Sequence, residues 1–332
     1  MTRSGRFAVI GAGVAGLACA QRLQEGGAEV TVFERDAFPG GRAATRIDAA
    51  GPFDHGAQYF TALHDRFAAA LTGWQAGGIV QRWDGRIVAF DAGSVRDQTA
   101  STERFVAVPG MRRLGLHMAQ PLQVRCSTSI ARLQHGPDGW HLSTDGGDGS
   151  GFGPFDAVVT AMPSEPAAEL LQGLTVLAEQ ASQVAWEPCW ALTLALAHRS
   201  GAGFEGAFIN DDPILCWAAL DSAKPRRGRV DGVAERWVLH ARRPWSQRYA
   251  SMSEPEVTRW MTRAFSALLR GRPMPAQAHA VLWRHAMPVA PLPQRFLWDD
   301  ERRLGVAGDW CGGTRIEDAY LSGLALAEAM LR

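Results

Sequence analysis

The run Gly11-Ala12-Gly13-Val14-Ala15-Gly16 constrains this chain more than any other segment. It follows a short apolar strand expected over 6–10. It opens a helix expected over 14–25, which Gly26-Gly27 ends, and a β-branched strand follows over 29–34. A lone G-x-G-x-x-G is weak. Inside a β-α-β unit that closes on an acidic residue, here Glu34, it is the pattern that binds a dinucleotide. Gly11 allows the tight turn, Gly13 lets backbone approach a diphosphate, and Gly16 lets the helix pack on the strand. The diphosphate then meets free N–H groups and the positive end of the helix dipole. The Glu34 carboxylate suits ribose hydroxyls and disfavours a 2′-phosphate. Read hastily, Arg3 and Arg6 before the apolar run 7–20, ending in Ala18-Cys19-Ala20, resemble a secretory leader. The three glycines and the strand that follows favour a folded unit, so a cytoplasmic protein is expected. No other apolar stretch approaches membrane-spanning length.

Composition narrows the partners. Lys plus Arg and Asp plus Glu both number 34, so the formal net charge is zero. Charge therefore gives no reason to expect nucleic acid or an anionic membrane surface. The five cysteines are scattered and never paired as C-x-x-C, which argues against a disulfide framework or a zinc site and for a reducing compartment. No metal or Ser-His-Asp constellation emerges. Lys224 is the one lysine of the chain, and the 12 Trp supply flat apolar surfaces for cores and pockets.

Periodicity predicts helices over 66–75, from 109–111 through Met118, and over 165–171, 254–269 and 319–331. It predicts strands over 85–90, 122–133, 140–144, 155–162, 190–197, 236–241 and 304–307. The glycine-rich stretch 145–154 reads as a loose turn, and 288–293 as a proline-rich loop. Strands alternate with helices at both ends, while the middle is strand-rich. This pattern implies an α/β dinucleotide domain from discontinuous pieces (1–65, 102–165 and 300–332) and an inserted α+β domain (66–101 and 166–299).

Further motifs decide which dinucleotide. Glu34-Arg35-Asp-Ala-Phe-Pro-Gly40-Gly41-Arg42 resembles the second cofactor element of FAD-dependent amine oxidases. The resemblance implies backbone at Gly41 close to the cofactor and Arg42 near its phosphates. Near the other end stand Gly308-Asp309-Trp310-Cys311 and Arg315-Ile316-Glu317-Asp318-Ala319-Tyr320-Leu321-Ser322-Gly323. In that superfamily the Asp holds the ribityl chain, and the helix that begins near Glu317 points at the flavin pyrimidine edge. Phe53-Asp54-His55-Gly56-Ala57-Gln58-Tyr59-Phe60-Thr61 falls where the chain crosses in front of the flavin ring. Taken together, and with Trp190-Ala-Leu-Thr-Leu-Ala-Leu, Lys224-Pro225, Trp237-Val-Leu-His240 and Trp245-Ser246, these segments resemble bacterial renalase across the whole chain.

That resemblance implies a Rossmann-type FAD-binding domain with an interleaved mixed-sheet substrate domain, in the p-hydroxybenzoate hydroxylase-like topology. It implies cofactor contacts from the glycine turn, Glu34, Arg35, Gly41, Arg42, Ala57, Gln58, Tyr59, Ile130, Pro163, Gly308, Asp309, Ile316, Glu317 and Ala319. It also implies the activity: oxidation of isomeric, non-4-dihydro forms of NAD(P)H to NAD(P)+, with the electrons passed to O2. Asp318 departs from the family, whose members usually carry Gly there. Its carboxylate either raises the energy of anionic reduced flavin or faces water. Cys311 lies near the cofactor by motif, and non-covalent binding is expected.

With one dinucleotide fingerprint, a nicotinamide donor must lie directly on the flavin. Hydride transfer then needs stacking and alignment rather than a side-chain acid or base. Tyr59, Phe60, Trp190 and Trp283 are candidate walls, and Thr61 is a polar contact. Arg315 suits a phosphate or carboxamide, and His285 belongs to a lid over 283–288. His55 reads as structural. The competing enzyme is an amine oxidase, which usually carries a Lys on the strand facing the flavin. A rough alignment puts Trp190 there, and three Tyr supply an amine cage poorly. The non-enzymatic alternative is a flavin-binding protein without turnover.

Overall fold

The computed structural model describes residues 5–99, 102–145, 151–270 and 275–332. In chain order its strands are β1 (Arg6–Ile10), β2 (Glu29–Phe33), β3 (Arg46–Asp48), β4 (Gly51–Phe53), β5 (Val80–Arg82), β6 (Ile87–Asp91), β7 (Ser94–Asp97), β8 (Phe105–Ala107), β9 (Gln123–Arg125), β10 (Ile130–Gly136), β11 (Gly139–Thr144), β12 (Phe152–Phe155), β13 (Ala157–Thr160), β14 (Trp186–Leu196), β15 (Gly206–Ile209), β16 (Leu215–Leu220), β17 (Glu235–Ala241), β18 (Gln277–Pro288), β19 (Leu297–Asp299) and β20 (Leu304–Val306). The helices are α1 (Val14–Glu25), α2 (Asp65–Ala76), α3 (Arg112–Ala119), α4 (Ser164–Leu171), α5 (Leu177–Ser182), α6 (Arg243–Arg248), α7 (Glu254–Leu268) and α8 (Ile316–Met330).

The N-terminal β-α-β unit forms because β1 and β2 are apolar on both faces, which suits a central parallel sheet covered on each side. They join a six-stranded sheet of order β19-β20-β13-β1-β2-β9, parallel except for the edge strand β19. Leu17, Cys19 and Leu23 of α1, Leu114 of α3 and Leu326 of α8 bury one face of it. The β10-β11-β12 sheet, α4 and α5 bury the other through Leu142, Leu171 and Ala181. The apolar run 7–20 is thus a strand, turn and helix inside this core. Among the described residues no helix is long and apolar enough to cross a membrane.

The second sheet has seven strands in the order β18-β14-β17-β16-β15-β6-β7, and it is mixed because β15 pairs parallel with β6. Its outer face is covered by α7, whose Val257, Met261 and Phe265 pack on Leu192, Leu194 and Trp237. Its inner face turns toward the cofactor half, where Ala195 and Val238 meet Ala50 and Phe53.

Four segments differ from expectation. Residues 122–133 are not one strand: β9 extends the parallel sheet, the chain turns at Ser127 (φ 52°), and β10 begins a hairpin. Of the expected turn at 145–154, residues 146–150 lie outside the described residues, while β12 pairs with β11. Residues 283–288 belong to the long strand β18 rather than to a lid, because they pair with β14 through Pro288. Helix α2, read with the inserted domain, packs on α8 instead: Tyr320 sits 5.5 Å from Phe67 and 5.7 Å from Trp74, ring to ring.

Candidate functional site

The glycine turn has the geometry its spacing requires. Gly11 has φ +107°, and a Cβ on it would lie 2.3 Å from the Ala161 carbonyl oxygen. A Cβ on Gly16 would lie 2.0 Å from the Gly11 carbonyl oxygen, while one on Gly13 would meet nothing within 4 Å. The outer glycines thus close the turn, and the middle one leaves open space at the N-terminus of α1, where Val14 and Ala15 begin the helix. Glu34 stands beside it, 6% exposed. Its carboxylate accepts hydrogen bonds from Ala12 N (2.8 Å) and Asp36 N (2.9 Å). Burial raises its pKa, and those two bonds work the other way. Arg35 is exposed, 4.0 Å from Asp36. Pro163 caps α4 just past β13, and Ile130 opens β10 in the core beside Phe33.

The second motif docks on the first. Gly40 N donates to Ala12 O (2.8 Å), and Gly41 adopts φ +56°. Arg42 then reaches across the molecule to Asp309, with bonds of 2.8 and 2.5 Å to its two carboxylate oxygens, and stacks on Trp186. Two residues 267 apart in sequence form a bidentate pair at the mouth of the turn. The motifs gave each residue a cofactor role but did not reveal the pairing. Gly308 N is held by Ser322 Oγ (2.9 Å). Cys311 is fully buried, and burial followed by Asp309 pushes its thiol well up, so it is no ready nucleophile.

The first turn of α8, with Ile316, Glu317 and Ala319, closes the arc. Glu317 is buried and accepts from Leu63 N (2.7 Å) and His64 N (2.6 Å), tying the chain just beyond Thr61 to this helix. Asp318 does not face water. It is 8% exposed and caps the helix, its Oδ2 accepting from Thr314 N (3.1 Å), Arg315 N (3.0 Å) and Arg315 Nε (3.2 Å). Arg315 also lies 3.0 Å from Glu317, so its guanidinium serves this helix start rather than standing free for a substrate.

The segment 53–61 is pinned by Gly56, where a Cβ would fall 2.1 Å from Arg42 O; Ala57 N donates to that same oxygen (3.0 Å). Beneath it lies a feature that sequence reasoning missed. Asp54, Asp221, Lys224 and Arg227 form a buried ion network. Lys224 Nζ donates to Asp221 Oδ1 (2.8 Å) and Gln58 Oε1 (3.3 Å), and Arg227 pairs with Asp54. Gln58 Nε2 donates to the Asp54 and Gly56 carbonyls, which fixes which end of its amide faces Lys224. Burial pushes Asp221 up, but Lys224 and Arg227 outweigh it and hold this carboxyl below its usual range; Asp54, buried beside that charge, is raised. The one lysine is therefore a structural cation beneath the 53–61 segment. Its rarity was the available signal.

The sheet supplies the opposite wall. Trp217, His240, Ala191 and Val281 are register partners across β16, β17, β14 and β18, so they share one face. Trp217 packs on Tyr59 with ring centres 5.6 Å apart, which turns that face toward the cofactor segment. Trp190 belongs to the other face: it is 3% exposed in the outer core, and its indole donates to Tyr249 O. The expected wall residue is displaced by one position, and strand alternation puts Ala191 there instead. Phe60 is likewise core, between Phe67 and Phe105. Trp283 does reach the segment, stacked on His55 at 5.1 Å with Nε1 donating to His55 O. His285 pairs with Glu165 (2.8 Å) and packs on Trp186. Burial lowers His55 and His240 to about 4, so both are neutral at physiological pH.

An open glycine turn, a buried ribose-type carboxylate, a helix start facing the 53–61 segment and an apolar sheet wall fit an FAD. Fold and site together define a flavin-dependent oxidoreductase: a Rossmann-like dinucleotide unit roofed by a mixed sheet. The family profile for an NAD(P)-binding Rossmann-like domain matches residues 9–71, and that for flavin containing amine oxidoreductase matches 88–331. The chain belongs to the flavin-containing amine oxidoreductase family, and its cofactor is FAD. Its fold is similar to a provisionally assigned protoporphyrinogen oxidase from Exiguobacterium sp. 255-15 (TM-score 0.79, 12% identity, 100% of this chain and 99% of that one). Cyclohexylamine oxidase from Brevibacterium oxydans IH-35A is also similar (TM-score 0.71, 13% identity, 99% of both chains). A stretch of 56 residues is 46% identical to hydroxyneurosporene desaturase of Cereibacter sphaeroides, covering 17% of this chain and only 11% of that enzyme.

Proposed function

We propose that this flavoprotein oxidises dihydropyridine dinucleotides, converting isomeric, non-4-dihydro forms of NAD(P)H to NAD(P)+ and reducing O2 to H2O2. When bound, FAD supplies the hydride acceptor and the reaction with O2. The observation that carries the reading is the commitment of Lys224 to Asp221, Asp54 and Gln58, with Ala191 on the wall facing Tyr59. The chain thus offers no lysine for a flavin-facing role. His55 and His240, lowered to about 4, are uncharged near pH 7 and supply no imidazolium acid. A dihydropyridine needs none, because loss of hydride from a ring carbon leaves an aromatic pyridinium. The residues are asked to align a flat ring and exclude water. Tyr59, Trp283 and the partly exposed His240 and Val281 provide surfaces for that, backed by the buried Ala191 and Trp217. Five unpaired cysteines support a cytoplasmic location for the reaction.

The test is anaerobic reduction of the FAD-loaded protein by NAD(P)+ that has been treated with borohydride to give mixed dihydro isomers, beside a panel of amines. Rapid flavin bleaching by the isomers alone is expected. Bleaching by an amine alone would overturn the reading in favour of amine oxidation, and bleaching by neither would favour a binding protein without turnover.

A further inference from the structure

Where the sheet wall ends at Val281, a cavity of about 500 Å³ opens, lined also by Phe38, Arg46, Ile47, His55 and Arg112. An adjoining space of about 180 Å³ shares Phe38, His55 and Arg112 and reaches Gly41, Ala43 and Trp283. The two together run from the cofactor turn and the wall out to two arginines, and they have the size of a ligand site rather than of a single ion. We propose that this cavity seats the phosphates of the substrate, with Arg46 and Arg112 as the specificity-determining cations for a dinucleotide; the inference rests on the dihydropyridine reading above.

Arg112 is the less neutralised of the two cations. It opens α3, its Nη2 donates to the Thr45 carbonyl, and its guanidinium lies 4.3 Å over the Phe38 ring. Those neighbours are neutral, and among the described residues Arg112 forms no ion pair. Burial lowers its pKa, with Asp54 acting the other way, so it is a partly desolvated cation that an anion would relieve. Among the described residues Arg46 pairs with the Asp48 carboxylate alone, at 3.7 Å. Asp36, at the rim of the smaller space, is exposed and already beside Arg35. His55 adds no charge. The cavity is therefore cationic at Arg46 and Arg112 and apolar at Phe38, Ile47 and Val281. That combination repels a primary ammonium and receives a phosphorylated ring compound.

Arg46→Gln, Arg112→Gln and the double variant test this. FAD content and thermal midpoint are recorded first, and Arg46, half-exposed with one weak partner, is the position where folding is least at stake. Two substrates are compared: the dihydro isomers of the dinucleotide and those of N-methylnicotinamide, which has no phosphate. The kcat/KM ratio of dinucleotide over N-methyl fragment should fall roughly tenfold per arginine, mainly through KM. Independently of turnover, ADP should bind the FAD-saturated wild type at a second site and lose that binding in the variants. An unchanged ratio, or ADP binding that is absent or indifferent to both arginines, overturns the phosphate seat even if dihydropyridines are oxidised. If ADP binds through the arginines but no dihydropyridine reduces the flavin, the functional reading fails while the anion seat stands.

Discussion

Lys224 shows how much one side chain can decide here. Two carboxylates, Asp54 and Asp221, are fully buried and are held by Lys224 and Arg227 alone of the cations within ion-pair distance among the described residues. Removing one cation leaves an uncompensated buried charge, which costs far more than the pair contributes. Lys224→Met should therefore destabilise the protein by roughly 3–5 kcal/mol, read from urea unfolding of the FAD-loaded form. It should also lower FAD retention, because Asp54 and Gln58, both in the 53–61 segment, lose a buried partner. A loss below about 1 kcal/mol would show that the network is solvated in solution. Gly56 makes the complementary point. Its replacement by Ala drives a Cβ into Arg42 O at 2.1 Å, so the chain must move where the two cofactor motifs touch. Gly56→Ala should purify with strongly reduced FAD content, measured by flavin absorbance per protein, whereas Gly13→Ala, with open space around its Cβ, should fold normally and weaken FAD binding alone.

At the scale of elements, legibility in the sequence followed burial pattern. β1, α1 and β2 carry local signals that agree with one another, the glycine turn, the apolar strands and the Gly26-Gly27 stop, and their boundaries were readable to a residue or so. β18 was not readable: it includes Arg284 and two histidines, and its inner face borders a cavity rather than a core, so its alternation is diluted. The split between β9 and β10 was hidden because Ser127 takes a left-handed turn that its type does not advertise. At the site, the motifs named Arg42, Asp309 and Glu317, but not that Arg42 clasps Asp309 or that Glu317 anchors 63–64; pairings across 250 residues leave no local trace. Trp190 was read one position out because it was placed by a rough alignment, which does not fix the phase of a strand to a single residue. This has a kinetic consequence. Trp190→Phe should cost stability, about 1–2 kcal/mol from lost packing and the lost indole hydrogen bond, and leave KM unchanged. Ala191→Leu, at a fully buried position on the inner face, should cost about 1–3 kcal/mol from overpacking and raise KM by shifting the wall. Reversed effects would return Trp190 to the site.

The two halves of the molecule meet where two histidines are held uncharged beside fixed cations, and this predicts how the whole protein responds to acid. His55 sits on the cofactor side and His240 on the sheet, each lowered from 6.5 to about 4, first by burial. Arg46 and Arg112 press on His55, and Lys224 and His55 press on His240, in the same direction. Between pH 6.5 and 4 the unfolded chain binds protons that the folded chain refuses. Stability therefore rises with pH across this window; it is fully present above about 6.5 and is lost as the pH falls toward 4. Each histidine contributes a slope of up to about 1.4 kcal/mol per pH unit. Because the new charges would appear between the halves, beside Lys224, the first consequence of acid should be their separation and release of FAD. The thermal midpoint of the FAD-loaded protein should fall steadily from pH 6.5 to 4.5, with flavin fluorescence rising at or before the transition. His240→Phe should flatten that dependence by roughly half, since one of two such groups is gone. An unchanged slope in the variant would place the acid sensitivity in the carboxylates instead, and the interface would have no part in it.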